Sequence, residues 1–184
     1  MPTVERDRDI AQLYREHYHE VLAYCIRRVG VADAEDLASE VFSIAWRRRE
    51  ELEMETAQAW LYGVARGVVA NNWRSVFRRR RLVDRLTMQP DHSAVATEEY
   101  FARTHESDET IACLRRLRAS DQEVLMLAAW EGLTSPEIAM ALGISRAAAE
   151  QRLHRAKKRL AAVMRPVNER SKDSSRAATE EGGR

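Results

Sequence analysis

The segment at residues 133–160 constrains the fold most, because it carries the caps, turn and periodicity of two short helices in a fixed order. Thr134 and Glu137 match a capping box, which favours a helix start. Gly143 can adopt the left-handed backbone of a sharp turn, and Ser145 can cap the helix that follows. The apolar positions of that second helix recur at helical spacing, at Ala149, Leu153, Ala156 and Leu160. The segment therefore predicts a helix-turn-helix.

Helical periodicity extends over most of the remaining chain. Apolar residues recur at helical spacing near residues 8–29, 33–46 and 59–77. The 184 residues include only 7 Gly and 4 Pro, so helix breaks are few. We therefore predict an all-α fold with two small helical domains joined by a flexible linker. The second domain is predicted to be a four-helix domain that contains the helix-turn-helix.

A change in composition separates the two predicted domains. Residues 84–110 hold 7 acids and 2 bases and lack helical periodicity over most of their length. The predicted boundaries are a first domain at 1–83, a linker at 84–107, a second domain at 108–165 and a disordered tail at 166–184. Two further caps are predicted locally: Asp33 before the second helix, and a capping box of Ser120 with Glu123.

The net charge of +1 hides two separate basic blocks. Residues 62–81 hold 6 bases and no acid, and residues 145–165 hold 7 bases and 1 acid. Trp60 lies just before the first block and Trp73 lies within it, and this mixture of tryptophan and arginine suits unpaired nucleic acid because bases stack on the rings while arginines hold phosphates. The alternatives stay open: both tryptophans could be core residues, and the second block could be the solvated face of a helical hairpin.

Several classes of protein are excluded by the composition. No stretch approaches 18 uninterrupted apolar residues, and residues 1–15 lack the apolar core of a signal peptide, so neither a membrane span nor secretion is expected. Cys25 and Cys113 form no CxxC pair, which argues against a disulfide framework or a cysteine-rich zinc site. No glycine-rich phosphate loop, HExxH or GxSxG motif is present. We therefore predict no catalytic residue, no metal, no cofactor and no small-molecule substrate.

Three strings together resemble the extracytoplasmic-function (ECF) sigma factors, the two-domain members of the bacterial sigma-70 family. Residues 33–42 (DAEDLASEVF) resemble the polymerase-binding helix of that family, and residues 60–66 (WLYGVAR) resemble the start of its promoter-melting helix. Residues 132–156, which contain the predicted helix-turn-helix, resemble its reader of the minus-35 element. The resemblance runs from Ile10 to Met164 with the linker left out.

The resemblance implies a sigma factor that binds core RNA polymerase and directs promoter-specific transcription initiation. It implies recognition of the minus-35 element as duplex and melting of the minus-10 element, in the cytoplasm and, within the holoenzyme, at the nucleoid. The protein would not be an enzyme, because nucleotide polymerisation belongs to the polymerase. Members of the family are often held inactive by an anti-sigma factor, although nothing in the sequence identifies such a partner.

The resemblance also assigns residues to three surfaces. The polymerase-binding surface comprises Asp36, Ser39, Glu40 and Phe42. The minus-10 surface comprises Trp60, Arg66, Asn71, Trp73, Arg74 and Arg78. The minus-35 surface comprises the base-facing Glu150, Gln151, His154 and Arg155, with Arg146, Arg152 and Lys158 on phosphates.

Three departures from the family pattern stand out. The loop before Trp60 is short and lacks a glycine, so the residue that captures the flipped minus-10 base is not identified. Gly67 occupies a position where Arg or Asn is common, and Glu150 one where a basic residue is common. A carboxylate at that position accepts from the amino group of cytosine, which predicts an altered minus-35 preference. The alternative function is a dimeric helix-turn-helix regulator that acts without polymerase docking, although it leaves the first basic block without a role.

Overall fold

The computed structural model describes the backbone of residues 2–87 and 109–181 and the side chains of residues 6–79, 81 and 110–164. All regular elements in these ranges are helical, which confirms the predicted all-α class. The chain forms α1 (Pro2–Val29), α2 (Val31–Arg47), a 3-10 turn (Met54–Thr56), α3 (Ala57–Thr87), α4 (Glu109–Arg115), α5 (Ala119–Ala129), α6 (Ser135–Leu142) and α7 (Arg146–Glu181).

The first domain consists of α1, α2 and α3, which pack against one another in pairs. Each helix contributes an apolar stripe to the shared core, where Leu13, Val41 and Leu61 are almost fully buried. Gly30 separates α1 from α2 with a φ of 83°, a left-handed conformation that disfavours other residues. This turn folds α2 back along α1 and leaves the acidic side of α2 in solvent.

The second domain consists of α4 to α7, with the N-terminal part of α7 packed against the other three helices. Ile138 of α6 and Ala149 and Ala156 of α7 have no exposed surface. Because alanine is small, the two helices can approach closely at this point. The buried stripe predicted for α7 is confirmed, with Leu153 and Leu160 partly buried at its margins.

The local signals of the helix-turn-helix are confirmed residue by residue. The Glu137 carboxylate accepts hydrogen bonds from the Thr134 backbone N–H at 2.7 Å and from the Thr134 hydroxyl at 2.5 Å. Gly143 ends α6 with a φ of 63°. The Ser145 hydroxyl accepts from the Ala148 N–H at 3.2 Å and so caps α7.

Two predicted caps are wrong. The N-cap of α5 is Arg118, so Ser120 lies inside the helix and the Ser120–Glu123 box does not form. Glu123 instead pairs with Arg66 of α3, a contact that local spacing cannot reveal. The second helix starts two residues before Asp33, directly after Gly30. Asp33 therefore lies in the first turn, where its charge still favours the positive end of the helix.

Two helices run beyond their predicted ends. α3 continues to Thr87, four residues into the predicted linker at 84–107, and α7 continues to Glu181 through the tail predicted to be disordered. The first extension is Asp-Arg-Leu-Thr and the second is rich in Ser, Glu, Arg and Ala, so neither continues the apolar stripe from which the helix ends were predicted. The rest of the predicted linker, residues 88–107, and the end of the tail, residues 182–184, lie outside the described residues.

The two domains are in direct contact, because α3 packs against α6. At the crossing, a Cβ atom on Gly63 would lie 3.4 Å from the Cα and the carbonyl oxygen of Ala141. Backbones can come this close because Gly63 has no side chain. None of the described helices is long and apolar enough to cross a membrane.

Candidate nucleic-acid and polymerase interfaces

The solvent-facing side of α7 carries the side chains predicted to face bases. At about 100° per residue, Gln151, His154 and Arg155 lie on the side opposite the buried stripe. Together with Glu150, these side chains line one groove of about 310 Å³. The structure therefore brings the four base-facing candidates together on one exposed surface.

The basic residues beside this groove differ in exposure and in ion pairing. Lys158 is exposed, and Arg152 is partly buried at the edge of the apolar stripe. Arg146 donates from Nε to the Glu150 carboxylate at 2.8 Å, one helical turn away. Glu150 therefore positions an arginine at the start of α7, in addition to facing the groove itself.

Four of the six minus-10 candidates form a stripe along α3. Trp60, Asn71, Arg74 and Arg78 lie within about 60° of one another around the helix axis. Asn71 and both arginines are exposed, whereas Trp60 is partly buried against the core. The stripe thus combines an amide, two free guanidinium groups and the accessible part of an indole ring.

The other two candidates, Arg66 and Trp73, lie on a neighbouring side of α3, about 120–140° from Trp60. Arg66 donates from Nε to Glu123 of α5 at 2.7 Å, across the domain boundary. Trp73 is partly buried, and its ring centroid lies 6.4 Å from that of Phe77. The structure therefore does not place all six minus-10 candidates on a single surface.

The acidic side of α2 forms a third exposed surface. Asp36, Ser39 and Glu40 are exposed along it. Phe42, predicted to contact the polymerase, is only 6% exposed. Its ring lies 4.9 Å from that of Tyr14 and 6.0 Å from that of Tyr18, between α1 and α2. Phe42 therefore packs beneath this surface, because position 42 also belongs to the apolar stripe of α2 that faces the core.

Comparison with known proteins identifies the family. A model described as Sigma-70 region 2 matches residues 13–81, and a model described as Sigma-70, region 4 matches residues 107–160. The chain is 30% identical to the RNA polymerase sigma factor YlaC of Bacillus subtilis over 158 residues, covering 80% of this chain and 87% of that protein. It is also 30% identical to the ECF RNA polymerase sigma factor SigL of Mycobacterium tuberculosis, over 77% of this chain and 81% of that protein.

The chain belongs to the ECF sigma factors of the sigma-70 family. It is an RNA polymerase sigma factor that directs promoter-specific transcription, and the alternative of a polymerase-independent dimeric regulator is not favoured. Sigma factors bind core RNA polymerase and promoter DNA, and they are generally non-enzymatic initiation factors. The sigma factor RpoE of Bartonella quintana, solved in complex with the anti-sigma factor NepR, shares the fold, with a TM-score of 0.57 and 22% identity over 86% of this chain and 98% of that one.

Sequence reasoning missed one polar cluster in this sigma factor. The Glu131 side chain is 1% exposed, and its carboxylate accepts hydrogen bonds from Arg27 and, at 3.1 Å, from Arg28 of α1. The partners are more than 100 positions apart in the chain. No local pattern distinguishes this glutamate from the solvated acids around it.

The same cluster affects the titration of a neighbouring thiol. Burial, and to a lesser extent the nearby Glu131, raise the pKa of the Cys25 thiol, the cations Arg28 and Arg27 oppose the rise, and the resulting pKa is about 11. Burial also raises the pKa of Tyr62. Cys25 is therefore a protonated, shielded group at neutral pH, as the sequence reading of a buried apolar cysteine expected.

Proposed function

We propose that this sigma factor reads its promoter with two separate helices, α7 on the minus-35 duplex and α3 on the opened minus-10 element. The observation that carries the proposal is the groove of α7, where Gln151, His154 and Arg155 project from the side opposite the buried stripe. An α-helix fits the major groove of B-DNA, which is about 12 Å wide, and can present such side chains to base edges.

Each side chain of α7 suits a particular contact. Arg155 can donate to guanine and Gln151 can make paired hydrogen bonds with adenine. Glu150 accepts from a cytosine amino group, and it also fixes Arg146 toward the adjacent phosphate. Arg152 and Lys158 flank the groove and contact phosphates, which set the register of the helix on the duplex.

The α3 stripe suits separated strands. The accessible part of the Trp60 ring stacks on an unpaired base, Asn71 makes hydrogen bonds with a base edge, and Arg74 and Arg78 hold the backbone. Arg66 and Trp73 extend this surface on the neighbouring side of the helix. The residue that captures the flipped base stays unassigned.

The acidic surface of α2 is the docking site for core RNA polymerase. Asp36 and Glu40 favour a basic partner, and complementary charge speeds and orients docking. Phe42 holds the backbone of α2 against Tyr14 and Tyr18, so it acts on this surface through packing.

The remaining assignments follow from this role. The factor acts in the cytoplasm, and at the nucleoid when it is part of the holoenzyme. It has no catalytic residue, metal or cofactor of its own, because the polymerase adds the nucleotides. An anti-sigma factor is a further proposed partner, and the anti-sigma complex of the Bartonella relative supports it.

The proposal is tested with core RNA polymerase, the purified factor and a template library randomised at the minus-35 and minus-10 positions. Sequencing the transcripts should show one enriched sequence at each element. Glu150→Ala should change the base preference at minus-35 alone, and Asn71→Ala should change it at minus-10 alone. Arg116→Ala is the matched control, because Arg116 is an exposed cation of the second domain that lies outside α7.

Two results would contradict the proposal. Transcripts that do not depend on the added factor would refute promoter selection itself. An unchanged minus-35 preference in both Glu150→Ala and Arg155→Ala would show that another surface reads that element.

A further inference from the structure

Two polar side chains of the second domain are buried at positions to which the proposed function gives no role. Asp121 and Gln122 lie in the first turn of α5. The Gln122 amide donates to the carbonyl oxygen of Arg115 at 3.2 Å and to that of Leu117 at 2.8 Å, so it holds the turn between α4 and α5. The first turn of a helix favours a carboxylate such as Asp121, but burial still requires a cationic partner.

The cationic partner of Asp121 comes from α7. Arg159 donates from Nη1 to the Asp121 carboxylate at 2.5 Å. The Asp121 side chain is 4% exposed and the Arg159 side chain 46% exposed. Arg159 lies one turn beyond Arg155 and about 90° around the helix axis from the middle of the buried stripe of α7. A charge-assisted hydrogen bond at this off-centre position opposes rotation of α7 about its own axis.

The apolar contacts of α7 oppose the same rotation only weakly. At Ala149 and Ala156, which have no exposed surface, α7 presents methyl groups to its neighbours. Leu153 and Leu160, the larger members of the stripe, are partly buried. Large side chains fix the relation of two helices by fitting ridges into grooves, and methyl groups form shallow ridges. Packing alone therefore leaves the rotation of α7 loosely defined.

Two directional contacts bracket the base-facing part of α7. The Ser145 hydroxyl caps the start of the helix, and the Asp121–Arg159 pair lies roughly 20 Å further along the axis. A rotation of about 15° moves side-chain atoms at a radius of about 6 Å by about 1.6 Å. Hydrogen bonds to base edges do not survive such a shift, whereas attraction to phosphates is less sensitive to geometry. Rotation of α7 would therefore reduce discrimination between bases more than overall affinity for DNA.

We infer that Asp121 is a positioning residue, which sets the rotation of α7 through Arg159 and so determines minus-35 specificity without touching DNA. The inference rests on the proposed reading of the minus-35 element by α7. Asp121→Asn is the direct test, because it keeps the shape of the side chain and removes the charge. Arg159 is exposed enough to turn to water in this variant, so no charge is left buried without a partner.

Binding of the holoenzyme to two duplexes measures specificity, one duplex with the selected minus-35 sequence and one with an unrelated sequence. Asp121→Asn should raise the Kd for the selected duplex about three- to tenfold and leave the Kd for the unrelated duplex within about twofold. Arg159→Lys retains a cation that can donate to Asp121, so it should keep the ratio of the two Kd values within about twofold of the wild type. Glu123→Gln is the matched control, because it is an acid-to-amide change on the same helix that breaks an arginine pair with α3 and not with α7. It should leave both Kd values unchanged.

Spin labels report the orientation of α7 in the free full-length protein. Ala112→Cys in α4 and Ala147→Cys on the base-facing side of α7 introduce labels at exposed positions, and the two native cysteines are buried. Asp121→Asn should broaden the distribution of label-to-label distances and shift its mean by about 1–2 Å. Arg159→Met, which keeps the aliphatic stem and removes the guanidinium, is the second variant and should have the same effect. Thermal unfolding of each variant checks that the second domain remains folded.

The outcomes separate the positioning role from simpler roles of the same pair. A distance distribution unchanged in both Asp121→Asn and Arg159→Met overturns the inference, whatever the DNA assay shows. A changed distribution with an unchanged ratio of Kd values means that the pair only stabilises the domain, which also overturns it. A lower Kd for both duplexes in Asp121→Asn would mean that the released Arg159 binds phosphates. The distance measurement needs neither DNA nor polymerase, so failure of the promoter assay alone counts against the proposed function and not against the control of α7 rotation by Asp121.

Discussion

The basic blocks of α3 and α7 carry a similar net charge but differ in their surroundings. On α7 the groove lined by Glu150, Gln151, His154 and Arg155 faces solvent. On α3, Arg66 is tied to the second domain, and the helix is crossed by α6 near Gly63. The difference teaches that a block of positive charge shows where an anion could bind but does not show whether the block is accessible. In this sigma factor the helix proposed to read the duplex is open, while the helix proposed to hold separated strands is partly covered.

The largest expected effect concerns the first domain and tests how well its core excludes water from Cys25. Because burial raises the pKa of Cys25 from its ordinary value of 9.0 to about 11, folding favours the protonated thiol. The stabilisation is fully present below pH 9 and is lost as the pH rises through 11. Between these limits the wild type should lose about 3 kcal/mol of unfolding free energy relative to Cys25→Ala.

Urea unfolding of both proteins from pH 8 to pH 11.5 measures this difference. Tyr62 titrates in both proteins, so its contribution cancels in the comparison. Parallel pH profiles would mean that Cys25 is more accessible to water than the structure places it.

The next effect tests the exposed groove of α7. Arg155→Ala removes an exposed donor from the centre of the α7 groove, which should weaken binding of the holoenzyme to a minus-35 duplex by roughly 1–3 kcal/mol, or about 5- to 150-fold. Filter binding or fluorescence anisotropy measures the Kd. Arg116→Ala, which removes an exposed cation of the second domain outside α7, should cost less than about twofold. Equal losses in the two variants would mean that α7 contributes only unspecific charge.

The smallest effect concerns the ion pair that joins α3 to α5 of the second domain. Arg66–Glu123 is a partly exposed pair, so Glu123→Gln should lower the unfolding free energy by less than about 1 kcal/mol. The same change should release Arg66 and slightly raise affinity for single-stranded minus-10 DNA. Arg66→Ala should instead lower that affinity, and a loss in both variants would place Glu123 itself at the DNA.

The sequence predicted correctly those features, such as caps and turns, that depend on residues within one or two helical turns of each other. Thr134 with Glu137, Gly143 and Ser145 were placed correctly because caps and turns are encoded over three or four residues. The same reasoning failed for Glu123, whose partner Arg66 lies 57 positions away. Phe42 was predicted to be a surface contact, yet it faces Tyr14 and Tyr18, since its position in the apolar stripe outweighs its place in the family string.

The interdomain contacts were not predictable for a related reason. Glu131, Arg27 and Arg28 carry charges that usually lie in solvent, and only the meeting of two domains buries them. The family resemblance gave the role of each domain but no information on how the free domains meet. Helix ends at Thr87 and Glu181 were missed because both helices continue past the last residue of the apolar stripe from which their ends were predicted.

Two ion pairs in the second domain affect how DNA binding depends on salt concentration. The Asp121 carboxylate, almost completely buried, accepts from Arg159 of α7 at 2.5 Å, and Glu150 holds Arg146 at the other end of the exposed face. These two guanidinium groups are already neutralised, so they release few condensed counterions when the helix meets a duplex. A plot of log Kd for the duplex against log potassium concentration should therefore have a smaller slope than the number of Arg and Lys residues on α7 predicts.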